Sequence, residues 1–385
     1  MTELLTDELH LLERHCREIA PELREPGLAV DRDPDSIVDY LHLPAVELQQ
    51  AMVIPPEYTR RPYEVDGHVF RGGSCLSRVI VMDRLSYGDP GVLLASPGPS
   101  LSGVAVLALG DEAQRERYFT RLTAEPTWTF FALTEHGRGS AAAELTTRLA
   151  PAGDGYVLRG AKKYIGNGAR AQLGVVFCRR APGPFGIEAV LVETTAPGFR
   201  AELLPIVGLG GVRISELWFD DLPVSPHDVL GAHLRPSRRG LLGARETLLR
   251  YRPSLTAMAV GVSDAVVGYV GEQRTSLSHG DQADVADLAS RIAVARHAVR
   301  EVAVALDAGG SDLHAVSAAK FTAVRLAEEA TLLAVRLLGP TALLEHPWLA
   351  KTYRDVRAFE YMEGAGDVHR LLVFQGVLRG GGSAR

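Results

Sequence analysis

Apolar residues recur at helical spacing at both ends of the chain and at strand spacing in its middle. Leu4 to Ala20 is expected to be a helix, with Leu5, Leu11, Leu12 and Ile19 on one side. A second is expected within Asp35 to Met52, from Ile37, Leu41, Val46 and Leu48. Val53 to Arg71, with Pro55, Pro56 and Pro62, reads as irregular. Ser77–Leu85 and Ser102–Leu109 read as helices separated by the turn-rich YGDPG, and Gly110 to Leu122 as a charged helix carrying Tyr118, Phe119 and Leu122. From about Thr127 the period becomes two. Thr129–Thr134, Tyr156–Leu158, Val175–Cys178, Ala189–Glu193, Arg200–Pro205 and Arg213–Phe219 are expected strands, punctuated by Gly and Pro clusters. After Gly240 the helical period returns. Val285, Leu288, Ile292, Ala295, Val299, Val302 and Leu306 make one continuous stripe, as in a helix bundle. Asp281 and Gly309-Gly310 mark the ends of that helix. Val316–Leu338 and about Ala358 to Val377 follow as further helices, and the Gly-rich RGGGSAR as a flexible tail.

The pattern predicts a mainly α protein with a central β-domain. A helical region spans 1–126, a small antiparallel β-barrel or sandwich 127–232, a helical bundle 233–378 and a tail 379–385. A chain of 385 residues with 46% hydrophobic content can bury a large core. Net charge is −6, so a nucleic-acid partner is not expected. Four of the 41 basic residues are lysine: Lys162, Lys163, Lys320 and Lys351. Cys16, Cys75 and Cys178 are odd in number and far apart, which argues against a disulfide framework or a CxxC metal site. No metal is expected. The start of the chain is acidic, unlike a signal peptide, and Val104–Leu109 is too short to span a bilayer. A cytoplasmic protein without a membrane partner is the expectation.

Two stretches carry chemistry. TEHGRGSA and YIGNG put glycines and short hydrogen-bonding side chains (Thr134, Ser140, Asn167) in loops beside strands, a workable cradle for a phosphate or a flat polar ring. Ordinary hairpin loops would show the same pattern. FEYMEGAGDVHRLL places Glu363 beside glycines where a loop enters a helix, as a candidate proton acceptor or a solvated acid favoured by the helix dipole.

These stretches resemble the acyl-CoA dehydrogenase family. Its loops read TEPGAGSD and W-I-T-N-G, and its catalytic segment reads Y-E-G-T-x-x-I-x-R; here the segment is M-E-G-A-G-D-V-H-R. The resemblance runs from about Leu41 to Leu378. It implies an N-terminal helical domain, a middle β-domain and a C-terminal four-helix bundle. It implies an FAD lined by Phe131, Leu133, Thr134, Gly139, Ser140, Tyr164, Ile165, Gly166 and Ala365. Arg274 is implied to reach a neighbouring subunit's cofactor, in a homodimer or homotetramer, and Gly339 to lie in a further cofactor-binding turn. Glu363 matches the base, and Arg252 and Gly364 are implied to lie at the substrate. Some family members carry the base just before that Arg, where Tyr251 stands here. Gly166 replaces the Thr beside flavin N5, Ala141 the Asp after the Ser, and Ala365 another cofactor-touching Thr. Only the Arg of R-x-Q-F survives at Arg274–Leu277, and only the first Gly of G-G-x-G-Y at Gly339–Leu343.

The implied reaction is FAD-dependent α,β-dehydrogenation of an acyl thioester, carried on coenzyme A or an acyl carrier protein. The base removes the α-proton and the flavin accepts the β-hydride. The electron acceptor, an electron-transfer flavoprotein or oxygen, stays open. So do two alternatives: an oxidase or monooxygenase of a carrier-bound biosynthetic intermediate, and a flavin-free relative that binds carrier proteins.

Overall fold

The computed structural model describes residues 5–380 apart from Arg138, Ser140 and Ala141. Helices α1 (Asp7–Ile19), α2 (Arg24–Arg32), α3 (Pro44–Val53), α4 (Cys75–Leu85), α5 (Pro90–Ala95), α6 (Ser100–Leu109) and α7 (Glu112–Ala124) come first. The expected helix over Asp35–Met52 is divided. Pro34–Tyr40 is a 3₁₀ segment, and Pro44 starts α3 at a position where its missing N–H costs nothing. Several elements escaped the periodicity, among them a hairpin and a helix too short to show a period. A two-stranded hairpin, β1 (Tyr63–Val65) and β2 (His68–Phe70), lies in the stretch read as irregular. Helix α5 lies after the turn-like YGDPG, where Asp89 caps Val92 N.

Strands β3 (Thr129–Ala132), β4 (Arg148–Ala152), β5 (Gly155–Ile165), β6 (Leu173–Arg179), β7 (Ile187–Glu193), β8 (Phe199–Leu203), β9 (Ser215–Val224) and β10 (Val229–Leu230) form one eight-stranded sheet. Its order is β10-β7-β6-β4-β5-β9-β8, with β3 beside β6. Most pairs are antiparallel. The β3–β6 pair is parallel, with Thr129 opposite Leu173, and so is the single β4–β6 pairing of Arg148 with Arg179. The expectation of a purely antiparallel domain is corrected there. The chain reaches β6 only after the β4–β5 hairpin, and that long crossover permits a parallel return. Strand β6 is buried along most of its length, which fits its central place.

The final part is a bundle of α8 (Leu241–Gln273), α9 (His279–Asp307), α10 (Leu313–Leu338), α11 (Ala342–Glu345), α12 (Pro347–Phe359) and α13 (Gly366–Gly380). Helix α8 is the centre, running against α4, α6, α9 and α10. It is long and apolar enough to cross a membrane, yet 72% of its apolar window is buried inside the protein. Ser278, not Asp281, caps α9 by accepting from Asp281 N. The single helix expected over Ala358–Val377 is two helices. Glu363 (φ +56°) and Gly364 (φ +106°) are left-handed, and that backbone cannot continue an α-helix. Gly380 still belongs to α13, so the expected tail is shortened; residues 381–385 lie outside the described residues.

Candidate active site

The two loops meet through the backbone. Lys163 N donates to Thr134 O at 3.0 Å, which sets the end of β3 against the end of β5. A buried ion pair locks the same junction. Lys162 Nζ lies 3.0 Å from both Glu135 Oε1 and Leu133 O. Glu135 also accepts from Thr146 N and Oγ1 and from Thr147 N. Burial opposes the Glu135 charge, but Lys162 and these donors hold its carboxyl at about 2. Phe131 is half-buried against Phe177, with ring centroids 5.2 Å apart. Ile165 is buried. Tyr164 is 63% exposed with φ +63°, presenting a flat ring. Gly139 has room for ligand approach: the nearest atom to an added Cβ would be Thr134 Cγ2, at 3.9 Å. Gly166 is tighter, with Val212 Cγ1 3.3 Å from an added Cβ. Ser140 lies outside the described residues. The described residues set aromatic rings and glycines around the junction of β3 and β5, a residue set that fits a flavin.

The turn between α12 and α13 carries Glu363. Arg252 Nε, on α8, donates to Glu363 O at 2.9 Å. Lys320 Nζ, on α10, donates to the carbonyls of Met362 and Gly364. These two cations thus hold three successive carbonyls and fix the left-handed turn. Arg252 therefore positions the Glu363 backbone, a role other than the substrate contact expected of it. Gly364 serves the turn: an added Cβ would meet His369 Nε2 at 3.3 Å. Ala365 begins the approach to α13, whose Gly366 N is capped by Glu360 Oε1 at 2.9 Å. Burial pushes the Glu363 carboxyl up to about 7, with Arg252 and Lys320 pulling the other way. The same burial brings Lys320 down to about 8. Glu363 is thus no ordinary solvated acid.

A cavity open to solvent lies where all three regions meet. Its wall includes Gln49 of α3, Thr129 of β3, Asn167 after β5, and Tyr251 and Met258 of α8. Burial raises the Tyr251 phenol to about 12, and the Glu363 charge adds to the rise. Tyr251 therefore links the cavity wall to the carboxylate.

Arg274 and Gly339 are not brought to this site. Arg274 caps the far end of α8, exposed and with no side-chain partner among the described residues. It is 22 residues from Arg252, roughly 33 Å along a helix axis. Gly339 (φ +98°) ends α10.

The middle-domain model of the acyl-CoA dehydrogenase family matches residues 130–222, and its C-terminal-domain model matches 238–378. The chain belongs to the acyl-CoA dehydrogenase family. It is 29% identical to acryloyl-CoA reductase (NADH) of Anaerotignum propionicum over 391 residues, covering 97% of this chain and 95% of that one. Butyryl-CoA dehydrogenase from Megasphaera elsdenii superposes with a TM-score of 0.84 at 25% identity, covering 98% of this chain and 100% of that one. The prolyl acyl carrier protein oxidase AnaB shares the fold, with a TM-score of 0.84 at 20% identity over 97% of this chain and 99% of that one. The chain is accordingly an oxidoreductase of the CH–CH group of acyl thioesters. Family members are flavoproteins.

Sequence reasoning missed Lys162, Lys320 and Lys351 as structural cations. Lys351, buried in α12, bridges Asp89 and Asp355, and Asp355 accepts from Leu209 N. The signal was rarity: in a chain rich in Arg, three of four lysines are buried.

Proposed function

We propose that the chain binds FAD and desaturates an acyl thioester at Cα–Cβ, with Glu363 taking the α-proton. The observation that carries this reading is the Glu363 turn, held by Arg252 and Lys320 and electrostatically coupled to Tyr251 of the cavity wall, where burial pushes the Glu363 carboxyl up to about 7. A carboxylate of that basicity matches proton removal near neutral pH. Phe131, Leu133, Thr134, Gly139, Tyr164, Ile165, Gly166 and Ala365 would hold the isoalloxazine and its nearby phosphate. When bound, FAD supplies two-electron acceptance for the β-hydride. The chain orients the thioester, keeps water from the carbanion, and receives the proton on a Glu363 carboxylate oxygen. The Glu363 backbone N–H would offer the developing enolate a hydrogen bond.

The substrate carrier is coenzyme A or an acyl carrier protein; the prolyl carrier-protein oxidase of the same fold supports the second. Gly166 supports an oxidase variant, because no hydroxyl is available there for flavin N5. The assembly is a homodimer or homotetramer, since Arg274 lies too far from its own chain's cavity to serve it. Purified protein should carry a yellow flavin, releasable as FAD. In anaerobic stopped flow, Glu363→Gln should bind a competent thioester and reduce flavin about 10²- to 10⁴-fold more slowly. Reduction at the wild-type rate would remove Glu363 as the base.

A further inference from the structure

The polar groups on the cavity wall fall into two sets. Several are satisfied within the protein. Thr129 Oγ1 donates to Gly98 O at 2.7 Å, Ser96 Oγ to Val92 O at 2.8 Å, and Ser254 Oγ accepts from Arg78 Nε at 3.0 Å. Two are not. Gln49 Oε1 and Asn167 Oδ1 are buried with no hydrogen-bond partner among the described residues, in side chains more than nine-tenths buried. Asn167 Nδ2 donates to Leu94 O at 3.0 Å, which identifies the free atom as the acceptor. Asn167 also has φ +57°, an unfavourable backbone for a non-glycine residue that its surroundings must maintain. Ser100, on the same wall, has φ +47°. Buried acceptors without partners are rare in folded proteins and point to a bound group that supplies a donor.

The geometry points to an acyl group that carries its own N–H or O–H donor. The inference rests on the desaturation reading and names its substrate class: a short thioester bearing an amino or hydroxyl group on the acyl chain, held by Gln49 Oε1 and Asn167 Oδ1. An unsubstituted alkanoyl group in the same cavity leaves both acceptors unpaired. Sites built to hydrogen-bond a substrate hydroxyl or amine reject the analogue that lacks it, because the unpaired groups are costly. The remaining wall, with Val53, Met82, Leu93 and Met258, is apolar and suits the short carbon skeleton.

The test compares pantetheine thioesters of butyrate, 3-hydroxybutyrate, 4-hydroxybutyrate, 3-aminobutyrate and proline on the flavin-loaded protein. Binding is read by flavin fluorescence and oxidation separately by anaerobic flavin bleaching. At least one donor-bearing thioester should bind about tenfold or more tighter than the butyryl thioester. Gln49→Leu should abolish that preference while butyryl binding holds or improves. Circular dichroism and retained flavin show that the variant is folded. Equal binding of butyryl and every donor-bearing thioester overturns the inference, as does a preference that survives both Gln49→Leu and Asn167→Leu. Tighter binding of a donor-bearing thioester without flavin bleaching leaves the inference standing and overturns the desaturation reading instead.

Discussion

At the residue scale, Glu363 shows how burial and two cations set a working basicity. Its charged form is needed for proton abstraction, so flavin reduction should rise with pH through about 7. Burial raises the carboxyl, while Arg252 and Lys320 lower it. Lys320→Met removes one lowering charge and two donors to the turn, so the limb near 7 should move upward and the maximal rate should fall. A pH series of single-turnover rates checks both; an unmoved limb would separate Lys320 from Glu363 electrostatically. The stability sign follows from the raised value. The folded protein holds this proton more tightly than the unfolded chain does. That contribution is full below about 4.5 and is lost as pH rises through about 7. Glu363→Gln should flatten that part of the stability profile. The residue scale also explains the lysines. Compact ammonium groups reach two or three acceptors in enclosed places where a planar guanidinium fork demands another geometry.

At the element scale, the β3 and β5 ends depend on one buried pair. Lys162 is fully buried and Glu135 almost so. Lys162→Met leaves the buried Glu135 carboxylate without its cation, with only the Thr146 and Thr147 donors, and breaking such a pair typically costs about 3–5 kcal/mol. Urea unfolding should show a loss of that order, and flavin should dissociate more readily because Leu133 O loses its donor. A loss below about 1 kcal/mol would mean the loop junction is held elsewhere. Gly166, at the end of β5, makes a contrasting case. Gly166→Thr brings a Cβ to 3.3 Å from Val212 Cγ1, a contact eased by a shift of a few tenths of an ångström. The variant should stay folded, with about 1–3 kcal/mol lost to overpacking, while its flavin spectrum and oxygen reactivity change. Unchanged spectrum and oxygen reactivity would place Gly166 away from the cofactor.

At the scale of the whole molecule, three regions converge on one cavity, and one helix face is left uncovered by the described residues. Leu371, Phe374, Val377 and Leu378 of α13 are 56%, 59%, 68% and 61% exposed. Single exposed apolar residues are ordinary, but a cluster on one helix suits a subunit contact. Phe374→Glu should shift the assembly toward smaller species in light scattering without changing the circular dichroism of the chain. A wild-type monomer that retains FAD at micromolar concentration would argue against both this contact and the cross-subunit role of Arg274.

The sequence by itself determined the helix–sheet–helix order, because the hydrophobic period changes before Thr129 and again after Leu230. It also offered the two loops and Glu363 as candidates, through their resemblance to the family's motifs and not through local residue types alone. The short elements β1, β2 and α5 were illegible, since fewer than two turns or three alternations leave no period to read. The parallel β3–β6 pairing was equally hidden, because pairing partners 44 residues apart share no local signal. Tertiary structure alone decided that Glu363 sits on a left-handed turn instead of opening a helix. The decisive donors, Arg252 and Lys320, come from helices α8 and α10 far away in sequence. Tertiary structure likewise decided that Gln49 and Asn167 share a wall. Hydrophobic spacing places an element's face, but only packing brings two polar atoms from distant elements to one cavity and shows which of them lacks a partner.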